Sequence, residues 1–180
     1  MELVQPIKSK RDIERMKKAL GKSRDRLLFI IGINSALRIS DILQLKVGDV
    51  RDKDSIALRE TKTRKTKRFP INESIRKAVR ELISVEANDS DWLFPSRKGD
   101  KPISRVQAYR VLKGAAERAG LAIDIGTHSL RKTFAYHAYK ANVDLSVLMT
   151  VLNHASQRET LRYIGIVQED VDSVYNAINL

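Results

Sequence analysis

Two arginines, two histidines and one tyrosine stand out in three short segments of the chain. They are Ala36-Leu37-Arg38-Ile39-Ser40-Asp41, His128-Ser129-Leu130-Arg131, and Leu152-Asn153-His154 running on to Tyr163. Arginine keeps its charge at any physiological pH and grips phosphate oxygens with a planar fork. Histidine exchanges protons near neutrality, and a tyrosine phenol is a covalent nucleophile when its surroundings activate it. A phosphodiester under in-line attack gathers charge on its non-bridging oxygens, and two fixed guanidinium groups stabilise that charge without a metal. The residue types therefore point to attack by tyrosine on a nucleic-acid phosphate.

Each of these residues also has a plainer reading. Arg38 stands among Ala36, Leu37, Ile39 and Ile42, a poor setting for a solvated charge; Asp41 shares its helical face and is expected to hold the guanidinium. The plain reading of that pair is an intrahelical ion pair. His128 and Arg131 are one helical turn apart and face the same way. His154 follows a helix end, where a capping histidine is common. His137 has no companion and no assigned role. Tyr163 lies in a polar stretch flanked by Arg158 and Arg162, whereas Tyr109, Tyr136, Tyr139 and Tyr175 follow helical periodicity. The basic run Lys62, Arg64, Lys65, Lys67 and Arg68 reads as backbone contacts to DNA or as a solvated turn, with one lysine available to protonate a leaving oxygen.

Composition sets the partner. The 180 residues suit one domain, and 34 Lys and Arg against 22 Asp and Glu leave a net charge of +12. Such a balance favours a polyanion, and double-stranded DNA is the expected one. Cysteine is absent, which excludes disulfides and thiolate metal sites. No cluster has metal-ligand spacing, so neither metal nor cofactor is expected. No stretch approaches the ~20 apolar residues of a membrane span and no signal-peptide core opens the chain, so a cytoplasmic location is expected.

The elements that must position these side chains are mostly helical. Ser9 with Asp12 caps a first helix that ends at Gly21; Leu27 to Ile31 mark a second, and Ile42 to Leu45 a short third. Ser55–Leu58 reads as a strand, and Thr61–Ile71 as a hairpin with the basic run at its turn. Asn72 and Ser104 cap two further helices, the later one closing near Gly120, and from Ser129 onward the chain reads as helix. Val171, Val174, Tyr175 and Ile178 form an apolar stripe on a last short helix, with a hinge at Ile164-Gly165-Ile166. The expected fold is α+β, mainly helical, with one small antiparallel sheet.

On these residues the chain resembles the catalytic domain of the tyrosine recombinases, the phage-integrase family. Arg38-Ile39-Ser40-Asp41 resembles the family's first motif, and His128-Ser129-Leu130-Arg131 its HxLR motif. Leu152-Asn153-His154-Ala155 with Tyr163 resembles the closing motif, and Leu93 to Ser96 adds a non-catalytic likeness. Lys62, ahead of Phe69-Pro70-Ile71, matches the family's hairpin lysine. Asn153 and Ala36 replace common glycines. The resemblance implies that Tyr163 forms a 3′-phosphotyrosyl link and frees a 5′ hydroxyl for strand exchange without ATP or metal. Arg38, Arg131 and His154 would hold the phosphate, His128 would move a proton, and Lys62 would be the general acid. It further implies a homo-oligomer on DNA joined through the C-terminal helix. Residues 1–180 would be a single catalytic domain lacking the family's N-terminal DNA-clamping domain. Two other readings are a catalytically idle DNA-binding regulator on the same scaffold and a type IB topoisomerase.

Overall fold

The computed structural model describes residues 4–62, 64, 66–166, 176 and 178. Their order is α1 (Lys10–Leu20), α2 (Arg24–Ser35), α3 (Ile39–Ile42), a 3-10 turn at Val47–Asp49, β1 (Ser55–Arg59) and β2 (Thr66–Pro70). Then follow α4 (Glu73–Leu82), α5 (Arg105–Arg118), α6 (Thr127–Lys140), α7 (Leu145–Leu152) and α8 (Gln157–Ile164). The helices and the two-stranded antiparallel sheet are the α+β fold expected from the sequence.

Local chemistry starts most helices. The side chains of Ser9, Ser23, Asn72, Ser104, Asp144 and Ser156 each accept a first-turn N–H. α2 buries Leu27, Leu28, Phe29, Ile30 and Ile31, covering every side of the helix, so it must lie at the centre. One apolar cluster joins it to α3, the hairpin, α4 and the buried Phe94; a second packs Phe29 against α1, α5 and Leu130 of α6. A third gathers Ala36, Ala135, Leu148, Leu152 and Ile164 beneath the closing motif. α2 and α6 meet closely at Gly32, where an added Cβ would stand 2.4 Å from Leu130 Cδ1. That approach brings the end of α2 beside Arg131.

The hairpin differs from its expected bounds. β1 pairs with β2 in the register Ile56 to Phe69 and Leu58 to Lys67, so only residues 60–65 connect the strands. The cause is the period-two face of Ile56 and Leu58, which needs Phe69 opposite it to close over the core. Thr66, Lys67 and Arg68 are therefore strand residues, not turn residues. The N-terminal segment runs along α6: the Ile7 N–H donates to Thr133 Oγ1 at 2.9 Å, and Lys132 Nζ donates to the Val4 carbonyl at 2.9 Å. Val171, Val174 and Tyr175 of the expected tail stripe lie outside the described residues; Ile178, which is described, is exposed. No helix among the described residues is long and apolar enough to cross a membrane.

Candidate active site

Arg131 ties the three motifs together. It lies on α6, 4% exposed, and donates through Nη1 to the Ala36 carbonyl at 2.7 Å and through Nη2 to the Leu152 carbonyl. Ala36 caps the C-terminus of α2, and Leu152 is the last residue of α7. Terminal carbonyls lack intrahelical donors and carry the negative end of the helix dipole, so two helix ends converging on one point make a socket for a cation. Each terminal nitrogen keeps a second hydrogen for an anion.

The turns that build this socket suit Asn153 and strain Ala36. Ala36 and Asn153 adopt left-handed backbone, φ 53° and 51°. Glycine takes that region freely, and asparagine more easily than most other side chains.

Arg38 precedes α3 and is half-buried. Its Nη1 meets Glu60 Oε1 at 2.9 Å, whereas the Asp41 carboxylate accepts the Thr61 N–H at 2.8 Å. The expected Arg38–Asp41 pairing is thus replaced by Arg38–Glu60, with Asp41 pinning the start of the hairpin connection. Glu60, 4% exposed, extends the inward face of β1 after Ile56 and Leu58.

His154 follows α7 through the left-handed Asn153, and its Nδ1 lies 3.0 Å from Thr160 Oγ1 of α8. Its ring meets that of Tyr163 edge-on, with centroids 4.9 Å apart. Burial lowers the His154 pKa, Glu159 at 4.0 Å raises it, and Arg131 and Arg38 lower it again. His128, in the first turn of α6, has an exposed side chain. Partial desolvation, then Arg105, Arg131, Lys132 and Arg38, hold its pKa below the ordinary value, so the neutral base is favoured.

The Tyr163 hydroxyl is buried and has no hydrogen-bond partner among the described residues. Burial raises its pKa; Arg131 and Arg38 pull it back down without Arg131 meeting full hydrogen-bond geometry. An unpaired buried hydroxyl costs free energy, on the order of 1–3 kcal/mol. Lys132 Nζ stands 5.5 Å from the ring centroid, a cation over the same phenol.

The lysines fall differently from expectation. Lys62 is exposed in the connection between the strands, and Arg64 and Arg68 are exposed as well. Lys65 lies outside the described residues. Lys67 turns inward, half-buried, and its Nζ donates to the Val151 carbonyl at 2.8 Å. Burial lowers its pKa, Arg131 and Arg38 add to the lowering, and Glu60 and Asp41 oppose it. The structure therefore brings together Arg38, Arg131, His154 and Tyr163, with His128 within the same electrostatic field. Glu60, Lys67 and Lys132 join them although sequence reasoning gave Glu60 and Lys132 no role. No group of three or more His, Cys, Asp or Glu suited to a metal occurs among the described residues.

A converging arginine socket, a flanking histidine and a buried tyrosine thus meet on this fold. The chain belongs to the phage integrase family, whose model matches residues 9–169. Its class of activity is site-specific recombination: enzymatic breakage and rejoining of DNA. It is 46% identical over 177 residues to the probable integrase/recombinase YoeC of Bacillus subtilis, covering 97% of both chains. Tyrosine recombinase XerD of Corynebacterium glutamicum is 32% identical over 157 residues, which cover 84% of this chain and 51% of that protein. The chain thus spans about half the length of the Xer relatives. In fold it matches a crystal structure of XerA recombinase with TM-score 0.77 at 21% identity, covering 98% of this chain and 66% of that one. The catalytic domain of bacteriophage HP1 integrase gives 0.62 at 25% identity, with 97% and 95% covered. A XerH recombinase caught in a post-cleavage complex with its difH substrate gives 0.70 at 23% identity, with 97% and 53% covered.

Proposed function

We propose that Tyr163 attacks a scissile DNA phosphate, forming a tyrosyl oxygen–phosphorus bond to the 3′ end as the phosphorus–5′ oxygen bond breaks. The observation that carries this reading is the buried Tyr163 hydroxyl beside Arg131 and His154, with no hydrogen bond of full geometry among the described residues. Arg131 and Arg38 take the charge that develops on the non-bridging oxygens. His128, favoured as the neutral base, accepts the phenol proton. Lys62, at the exposed end of the hairpin, supplies the proton to the departing 5′ oxygen once DNA covers it. A 5′ hydroxyl from a second strand then reverses the attack and completes the exchange. Asp41 holds the hairpin connection through Thr61, while Arg64, Lys65 and Arg68 bind the DNA backbone.

The substrate is double-stranded DNA, residues 1–180 act as one catalytic domain, and the protein works in the cytoplasm beside that DNA. Copies assemble on DNA through the segment after Gly165.

The test is a nicked suicide substrate, which traps the covalent intermediate. The wild-type chain should give a protein–DNA adduct that survives SDS, and Tyr163→Phe should give none while binding DNA as tightly. An undiminished adduct in Tyr163→Phe would contradict the assignment.

A further inference from the structure

We propose that Lys67 is a positioning residue that clamps the β-hairpin to the end of α7 and so holds the two halves of the site in register. This rests on the tyrosine-recombinase reading and deepens it. The two halves come from different parts of the chain. The hairpin side carries Glu60, which meets Arg38, and Lys62; the other side carries Arg131, His154 and Tyr163 on α6, the turn after α7 and α8.

Three observations place Lys67 between them. In the register of the sheet it stands opposite Leu58, on the same inward face as Ile56 and Phe69. A lysine for solvent or DNA backbone would belong on the other face, where Thr66 and Arg68 are exposed. Its amine reaches a specific acceptor, the Val151 carbonyl, at 2.8 Å. The next carbonyl along α7, that of Leu152, accepts from Arg131. Two cations from separate elements thus share consecutive carbonyls at one helix C-terminus, where the dipole favours them.

The consequence is mechanical. Arg131 fixes α7 against α6 and α2, and Lys67 fixes the hairpin against the same turn of α7. Without that bond the hairpin stays paired within itself but loses its charge-assisted tether to the Arg131–His154 side. Lys67 is not aimed at solvent and need not touch the phosphate; it acts through the placement of the groups that do. Burial beside Arg131 and Arg38 lowers its pKa, and Glu60 and Asp41 facing it keep the charged form accessible.

Single-turnover cleavage of the suicide substrate at saturating DNA tests this with Lys67→Met and Lys67→Arg. Misplacing reacting groups by about 1 Å costs up to roughly 100-fold. Lys67→Met should therefore slow the chemical step by roughly 10- to 100-fold, with the DNA dissociation constant near wild type. Lys67→Arg, which keeps a cation within reach of the carbonyl, should recover most of the rate. A wild-type rate in Lys67→Met overturns the proposal, as does a loss confined to DNA affinity, or an arginine variant as slow as the methionine one. Hydrogen exchange provides a readout independent of activity. Lys67→Met should speed exchange at the amides of Thr66–Phe69 and at the His154 N–H, which bonds Met149. Unchanged exchange overturns the clamp. A wild-type chain that forms no adduct would instead overturn the recombinase reading, and exchange would still decide the clamp.

Discussion

At the scale of single residues, the site depends on two left-handed turns, because Ala36 and Leu152-Asn153 present the carbonyls that hold Arg131. An alanine in that region is strained by roughly 1–2 kcal/mol, and a β-branched side chain fits it worse. Asn153→Gly should keep both stability and cleavage, since glycine adopts the same φ without strain. Ala36→Val should destabilise the fold by about 2 kcal/mol or more, because Ala36 is also fully buried. Urea midpoints measure both; a valine variant as stable as the parent would contradict the argument. Local spacing made much of this scale legible. His128 and Arg131 sit one turn apart as expected, but Tyr163, expected outside the apolar stripes, packs half-buried against the cluster of Ala36, Leu148 and Leu152. The replaced glycines were visible as departures, though nothing in the chain showed that both mark positive φ. Glu60 and Lys132 were not legible as site residues: the former reaches Arg38 from the end of β1, 22 residues along the chain, and the latter overlies Tyr163 from another helix.

At the scale of elements, the closest constraint is the crossing of α2 and α6. Leu130 occupies the space a Cβ at Gly32 would need, and Arg131 is its chain neighbour. Gly32→Ala must push the helices apart or displace Leu130, costing about 1–3 kcal/mol as overpacking. It should also slow cleavage, because the Arg131 socket moves with α6. Equilibrium unfolding with a single-turnover assay checks this, and an alanine variant equal to wild type in both would refute the coupling. Helix existence was readable from caps: Ser9, Asn72 and Ser104 each accept the N–H their sequence promised. The hairpin was harder. Its basic run dominates the pattern and hides the strand alternation of β2. The alternation Ile56, Leu58, Glu60 against Phe69 and Lys67 was present in the chain, and it places Lys67 inward once the strands are paired correctly.

At the scale of the molecule, a net charge of +12 suits a protein that lies along DNA, while a single chain holds the candidate phosphate site. The proposed assembly on DNA runs through the segment beyond α8. Gly165, at φ 75°, ends that helix in a left-handed turn just after Tyr163, so where the following segment docks bears on where the tyrosine points. Truncation after Gln168 should leave the circular dichroism of the helical core intact, reduce assembly on DNA and lower adduct yield. A truncated chain that assembles and cleaves like the full one would remove the coupling role. Fold class was legible at this scale because helical periodicity and caps run through most of the chain; the meeting of distant motifs at Arg131 was not, since it depends on how α2, α6 and α7 pack.

The central claim is that one phenol becomes bonded to DNA, and mass spectrometry of the trapped adduct tests it most directly. Wild-type protein is incubated with nicked substrate in excess EDTA, digested with protease and nuclease, and the nucleotide-bearing peptide is sequenced. The account predicts a phosphonucleotide on Tyr163 and on no other side chain. A modified Tyr139 or Tyr175, or an adduct that forms only when a divalent metal is supplied, would contradict it.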